Sequence, residues 1–439
     1  MKNLLILAAV VLLTVGVCAW VNYKFVWQTR FVDVSSPASN VGPNKSTPMK
    51  QREPLLLERL HFSLRHTGTM SDADLEELLA RQVSIYVLSR LRTITNSQVE
   101  MLSKHPPLTD NSQTLNLSGL SSITIQQSER LAKVNSLSLD GLTSITDEQA
   151  ESLGKVNRLG LGGLVSITDQ QAEILSRVKD LGLNGLTSIT DEQAESLSKV
   201  KEHLALNGLT SITDSVAENL SKVQRLQLAG LTSITDKQAE HLSKVKDLYL
   251  SGLTSISDKQ AETLSRIKGL HLSDSCFEQI LSYQQKIVDK INVSGTIADE
   301  QIEILKNYKG GNLVLSGLRA ITDNQIDSLS EIPSLNLSGL VSITDLQAEH
   351  LSKVKDLDLS GLTSISDKQA ETLSKIRWLH LNSLTSITDE QAESLSRVRR
   401  LHLFGLTSIN DAQAESLSKV KNMGVLSGLQ PLIDKYKQQ

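Results

Sequence analysis

The chain has 439 residues, with 45 Lys and Arg against 49 Asp and Glu and a net charge of −4 at neutral pH. Both signs are interleaved along the sequence and no basic stripe is visible, so nucleic acid is not an expected partner. Its two cysteines, Cys18 and Cys276, exclude a cysteine-based metal site, and cleavage after the first would leave no intrachain disulfide.

In chain order, Lys2 precedes an apolar run from Leu4 to Val21, broken by Thr14 and Gly16. The run is long enough to span a bilayer, with Trp20, Tyr23 and Trp27 placed for the interface. Lys24 and Arg30 favour an uncleaved anchor, while Val17-Cys18-Ala19 keeps a cleaved export signal open. Val17 does not suit a lipoprotein site. Either way the remainder is expected outside the cytoplasm: single-pass and membrane-anchored, or secreted or periplasmic after cleavage. Residues 1–27 are thus a signal peptide or anchor. The Ser-, Pro- and Gly-bearing stretch 28–54 reads as a flexible linker.

Residues 55–91 read as a helical N-terminal cap with a degenerate first coil, in which Arg90 replaces the usual glycine. A helix starting at Met70-Ser71-Asp72 carries Leu75, Leu78 and Leu79 on one side. A first repeat array follows over 92–273, with a Pro-containing insertion from Lys104 to Thr114. Residues 274–311 are expected to be an irregular, decayed coil, 312–430 a second array, and 431–439 a tail that closes the stack.

The arrays repeat one phrase. From Leu137 it reads LSLDGLTSITDEQAESLGKV, with copies at Leu159, Leu181, Leu204, Leu226 and Leu248, then at Leu335, Leu357, Leu379 and Leu401. Of fifteen glycine slots from Gly119 to Gly428, thirteen hold Gly, and Asp274 and Ser383 are the exceptions. Self-similarity at this period means a stack of units that rest on one another. About seven apolar side chains per unit, each worth roughly 1.5–3 kcal/mol when buried, do not offset backbone ordering at about 1–2 kcal/mol per residue. Each unit therefore needs its neighbours.

Within a unit the apolar period changes from two to helical. Leu137-Ser138-Leu139 reads as a short strand, and Gly141 as a sharp turn where positive φ is tolerated. Thr146 or Asp147 caps a helix, and Thr146 with Gln149 fits a capping box. Ala150, Leu153 and Val156 form its buried stripe. Glu151 and Lys155 are spaced as an intrahelical ion pair, as are Glu195/Lys199, Glu240/Lys244, Glu262/Arg266, Glu349/Lys353, Glu371/Lys375, Glu393/Arg397 and Glu415/Lys419. Fifteen or sixteen strands are expected, giving a strand face on the order of 75 Å long.

The pattern LxLxGLxSITDxQAExLSKV, over roughly residues 85–430, resembles a leucine-rich repeat of the short-period, ITD-bearing bacterial kind. It departs from that family in having Gly where Asn or Cys usually follows the strand, and in lacking cysteine-rich caps. The resemblance implies an α/β solenoid with short parallel strands on the concave side and short helices on the convex side, and protein or glycan binding as the common use. A right-handed parallel β-helix is the rival fold, disfavoured by the repeated capped-helix pattern of about ten residues.

No catalytic set emerges. Serines belong to the repeat, and Asp147, Asp169 and Asp191 precede helices as capping residues. Gly160-Leu161-Gly162-Gly163 lacks the lysine of a phosphate loop. An enzyme is not expected, nor any cofactor or metal, because His380 and His402 on adjacent coils have no third ligand in the strand rows. The outward slot between the two strand leucines is nearly blank at Gly160 and Gly182. It fills at Tyr249 and His271, continues through Asn292, and ends at His380 and His402. Trp378, Arg400 and Phe404 join those two histidines as a candidate contact cluster, since Trp, Arg and aromatic residues anchor interfaces. The expected function is an exported scaffold binding a protein or glycan through its concave face, with membrane attachment through the N-terminal segment. The alternative is a structural or spacer element of the cell envelope with no specific ligand.

Overall fold

Each repeat unit folds as a short strand, a turn and a short helix, and successive strands pair in parallel. A computed structural model describes residues 53–81, 85–109 and 113–437, of which 56–437 belong to one packed unit. The expected anchor and nearly all of the expected linker lie outside the described residues. Among the described residues, no helix is long and apolar enough to cross a membrane.

The strand-to-helix pattern follows the sequence closely. In the unit at Leu137 the strand is Ser136–Ser138 and the helix Asp147–Leu153. Leu137, Leu139, Leu142, Ala150, Leu153 and Val156 are buried. Thr146 is the N-cap, and Asp147 is the first helical residue rather than the cap. The helix is seven residues long, shorter than expected. Lys155 therefore stands beyond the helix end, and of the eight expected intrahelical ion pairs only Glu262–Arg266 forms among the described residues, at 3.2 Å. Glu151 instead pairs with Arg177 of the next coil at 3.0 Å.

Eleven of the thirteen slot glycines, all but Gly295 and Gly428, are required for a reason other than positive φ. Among described glycines only Gly68, Gly295 and Gly311 have positive φ. At Gly141 a Cβ would sit 2.3 Å from the Ser118 carbonyl oxygen and 2.4 Å from that of Leu120. Glycine there lets one coil press its backbone against the backbone of the coil before it. Ser383 occupies the slot with a side chain, and nothing in its contacts explains how.

The capping glutamine ties coils together. Gln149 Oε1 accepts from Thr146 N at 2.9 Å, and its Nε2 donates to the Ile123 carbonyl of the preceding coil at 2.6 Å. The same strap runs from Gln171 to Ile145, Gln193 to Ile167, Gln347 to Ile321 and Gln391 to Ile365. Val216, fully buried, interrupts it. Cap hydroxyls add a second link: Thr213 donates to Asp191 and Thr388 to Asp367, at 3.0 and 2.9 Å.

The described strands number fourteen, divided into a sheet of eight from Leu115 to Leu272 and a sheet of six from Asn312 to Gly424. At about 4.8 Å per strand this makes two faces rather than one continuous face. The cause is the segment expected to be an irregular coil. It contains a 21-residue helix, Asp274–Ser294. Cys276, Ile280, Gln284, Ile287, Val288 and Ile291 recur at helical spacing and are buried, so the amphipathic pattern was present in the sequence. Asn292, assigned to a strand slot, lies in this helix. Two apolar cores meet here, one ending at Ile280 and the other starting at Ile287, with Tyr283 packed against both.

Elsewhere the carbonyl before most strands accepts from the next coil, as Trp378 N donates to Lys355 O. At the break no strand follows, and side chains take over. Asn307 donates to Arg266 O at 2.8 Å, and Lys309 Nζ to Ile267 O and Lys268 O at 3.3 and 3.2 Å. Gln284, with no exposure, donates to Ile304 O and accepts from Lys309 N, both at 3.1 Å.

The ends are helical. Glu53–His66 begins two residues before the expected cap, and Asp72–Ala80 is capped by Ser71 with Leu75 and Leu78 buried. A 3-10 helix at Ile85–Arg90 stands beside the first strand. The insertion contains the short helix Pro106–Thr109 with Leu108 buried. The C-terminal segment forms the helix Gln430–Lys437, whose Ile433 is buried, packed on the last repeat helix.

Candidate functional site

The strand face presents three rows of side chains, set by parallel pairing in register. Gly160 pairs with Gly182, Tyr249 with His271, and His380 with His402. The first half of the first sheet is low and polar. Asp140 folds over it, accepting from Ser138 Oγ at 2.7 Å and from Gly162 N at 2.7 Å. An amide ladder follows, with Asn207 N donating to Asn184 Oδ1 and Asn207 Nδ2 to Gln227 Oε1, both at 3.2 Å.

Tyr249 and His271 close the first sheet. Their rings are stacked, 4.0 Å apart and 7° from parallel. Burial holds the His271 imidazole below its usual range, with Asp247 opposing the shift and Lys309 reinforcing it.

The second group forms near the end of the other sheet. Trp378 opens the strand Trp378–His380 and Arg400 opens Arg400–His402, paired residue to residue. The Arg400 guanidinium lies 4.7 Å from the Trp378 ring centre, and that of Arg377 lies 5.5 Å from it. His380 and His402 stand edge to face at 4.4 Å, and His402 meets Phe404 at 5.3 Å. Phe404 is 45% exposed. Gly424 leaves room for both rings, since a Cβ there would lie 2.8 Å from the His402 ring and 3.0 Å from that of Phe404. The His402 pKa is lowered by burial first, then by His380 and Arg400. His380 Nε2 is 4.0 Å from Asp356 Oδ1. Trp378, His380, Arg400, His402 and Phe404 are therefore brought together. Tyr249 and His271 form a separate pair on the other sheet.

Chemically this is a contact surface of imidazoles, aromatic edges and guanidinium donors. Two depressions, of about 310 and 530 Å³, lie on the helix side and include none of the predicted contact residues. His203 is pushed below its usual pKa by burial. His350 Nδ1 lies 2.6 Å from Asp327 Oδ1.

Stacking also gathers charge that the sequence disperses. Lys375, Arg397 and Lys419 follow repeat helices, Lys355, Arg377, Arg399 and Lys421 immediately precede strands, and all seven are exposed. Coil-to-coil hydrogen bonds from Trp378 N, Arg400 N and Asn422 N to the carbonyls of Lys355, Arg377 and Arg399 keep those three in register. A basic edge thus exists in the fold although none is visible along the sequence. The opposite edge carries the Asp residues at the helix starts, partly paired with lysines, as in Lys368–Asp345 at 3.2 Å. Acids at helix N-termini and bases after C-termini suit the helix dipole, and the repeat turns that local preference into two edges of opposite sign.

No protein-family model matches the chain, and no curated protein matches it.

Proposed function

We propose that this protein is an exported, non-enzymatic scaffold of leucine-rich-repeat type that binds a protein or glycan through its strand face, held at the membrane by its N-terminal segment. One observation carries the reading: Trp378, Arg400, His380, His402 and Phe404 cluster on adjoining coils of the strand face. Trp and Arg are enriched among residues that dominate binding energy, and a spacer needs neither on its open face. The spacer reading draws on the other half of the protein, where Gly160 and Gly182 leave the face bare.

The test is a panel of immobilised glycans and candidate envelope proteins probed with the full chain and with a Trp378→Ala/Arg400→Ala/Phe404→Ala variant. Binding lost by the variant with circular dichroism unchanged supports the scaffold reading. Identical binding profiles for the two proteins would leave the spacer reading standing.

A further inference from the structure

We infer that the turns entering the second sheet bind a linear polyanionic polysaccharide, a chain bearing carboxylate or sulfate groups on its sugars. This narrows the glycan reading above and rests on it.

The arginines at this edge lack acidic partners. On the first sheet the arginines that open strands face a carboxylate on the next strand: Arg158 meets Asp180 at 2.9 Å and Arg225 meets Asp247 at 3.7 Å. Arg400 holds the same position on the second sheet, but its following neighbour is Asn422 and its preceding one Trp378. Among the described residues no carboxylate lies within ion-pair distance of Lys355, Arg377, Arg399, Arg400 or Lys421. These cations are exposed or half-exposed, so external anions can reach them.

The guanidinium groups are also held in place. The ring of Trp378 has Arg377 and Arg400, from consecutive coils, at 5.5 and 4.7 Å. Cation–π contact fixes a guanidinium while leaving its N–H donors free for a carboxylate or sulfate oxygen. Lost side-chain freedom is then partly spent before the ligand arrives.

The row also has a period. Lys355, Arg377, Arg399 and Lys421 repeat once per coil, at about the 4.8 Å strand spacing. Such a row fits a chain with recurring anionic groups better than a single small anion. Polar side chains beside it suit sugar hydroxyls: Asn382 donates to Ser360 Oγ at 2.9 Å, and Asn422 is exposed. Successive nucleic-acid bases need a series of open aromatic faces, whereas here the indole is engaged by guanidinium groups.

The experiment measures binding of the full chain to dextran sulfate, polygalacturonate, neutral dextran and inorganic polyphosphate at low and moderate salt. Arg377→Gln/Arg399→Gln/Arg400→Gln is compared with Lys179→Gln/Lys201→Gln/Lys246→Gln, which removes equal charge from the first sheet. The expected result is salt-sensitive binding to dextran sulfate or polygalacturonate, weakened at least tenfold by the arginine variant and less than threefold by the lysine variant. Arg399→Gln alone, which touches no ring, should weaken binding about threefold and keeps the test valid if the triple variant misfolds.

Equal losses in both triple variants would reduce the effect to bulk charge and overturn the inference. Polyphosphate bound more tightly than either polysaccharide, and lost in the arginine variant, would overturn the sugar assignment. Equal binding of neutral dextran, retained by the arginine variant but lost on Trp378→Ala/Phe404→Ala, would sink this inference and leave the broader glycan reading intact. No binding to any member of the panel, together with no partner in the wider glycan and protein screen, defeats both.

Discussion

Gln391→Ala tests whether the glutamine strap, rather than apolar stacking alone, fixes one coil on the next. The Gln391 side chain is 7% exposed; it accepts from Thr388 N at 3.0 Å and donates to Ile365 O at 2.9 Å. Truncation orphans both main-chain groups. Thr388 is exposed, so water can replace the first bond, at a cost of about 0.5–1 kcal/mol. The Ile365 carbonyl is buried between coils, and leaving it unpaired costs about 1–3 kcal/mol. The expected total is roughly 1.5–4 kcal/mol, confined to the two coils involved. Repeat arrays need not unfold in one step, so the readout is native-state hydrogen exchange at the Ala392 and Ser396 amides, which bond to Thr388 O and Ala392 O. Gln391→Glu keeps the acceptor and loses the donor, so it should retain more than half of the effect. Val216→Gln, in the coil where the strap is missing, should slow exchange locally. If Gln391→Ala shifts the local opening free energy by less than about 0.5 kcal/mol, the strap is incidental and apolar packing alone sets the stack.

Gly361→Ala would place a Cβ 2.3 Å from Ser338 O and should lower stability by about 1–3 kcal/mol as an overpacked site. Gly428→Ala, with nothing within 4 Å, should change the thermal midpoint little; equal effects would refute the close-approach explanation. Gln284→Leu removes the two hydrogen bonds by which that side chain joins the long helix to Ile304 and Lys309 of the following coil and should cost roughly 2–4 kcal/mol, read as faster exchange on both sides of the break. Burial lowers the pKa of His271 and His402 in the folded protein, so the unfolded chain binds more protons as pH falls below about 6.5. Their stabilising contribution is full above that value and is lost as pH falls toward the folded pKa. Melting at pH 5.5 and 7.5 should therefore differ less in a His271→Asn/His402→Asn variant than in the original protein, and an unchanged difference would contradict this.

Much of the repeat was legible because it is local. Leu137, Leu139, Ala150 and Leu153 announce their burial by spacing, and Thr146 with Gln149 announces the cap. The second bond of that glutamine was not legible, since its acceptor Ile123 lies 26 residues earlier. The long helix at Asp274–Ser294 was legible in its spacing of Cys276, Ile280, Gln284, Ile287 and Ile291, but the surrounding repeat phrase led to the expectation of another coil. The cluster at Trp378 could be assembled on paper because a fixed period makes residues 22 apart neighbours. The orientation of its guanidinium groups could not.

Local pattern sufficed to define the unit: which side chains are buried, where each helix starts, and that each unit needs its neighbours. Those features depend on periodicity and on bonds within a few residues. Only contacts between coils make two sheets instead of one, turn most of the slot glycines into points of close backbone approach, and gather scattered lysines and arginines along one edge. Each of these depends on distances between coils, and a one-dimensional pattern carries no record of what lies beside a residue until the register of the stack is set.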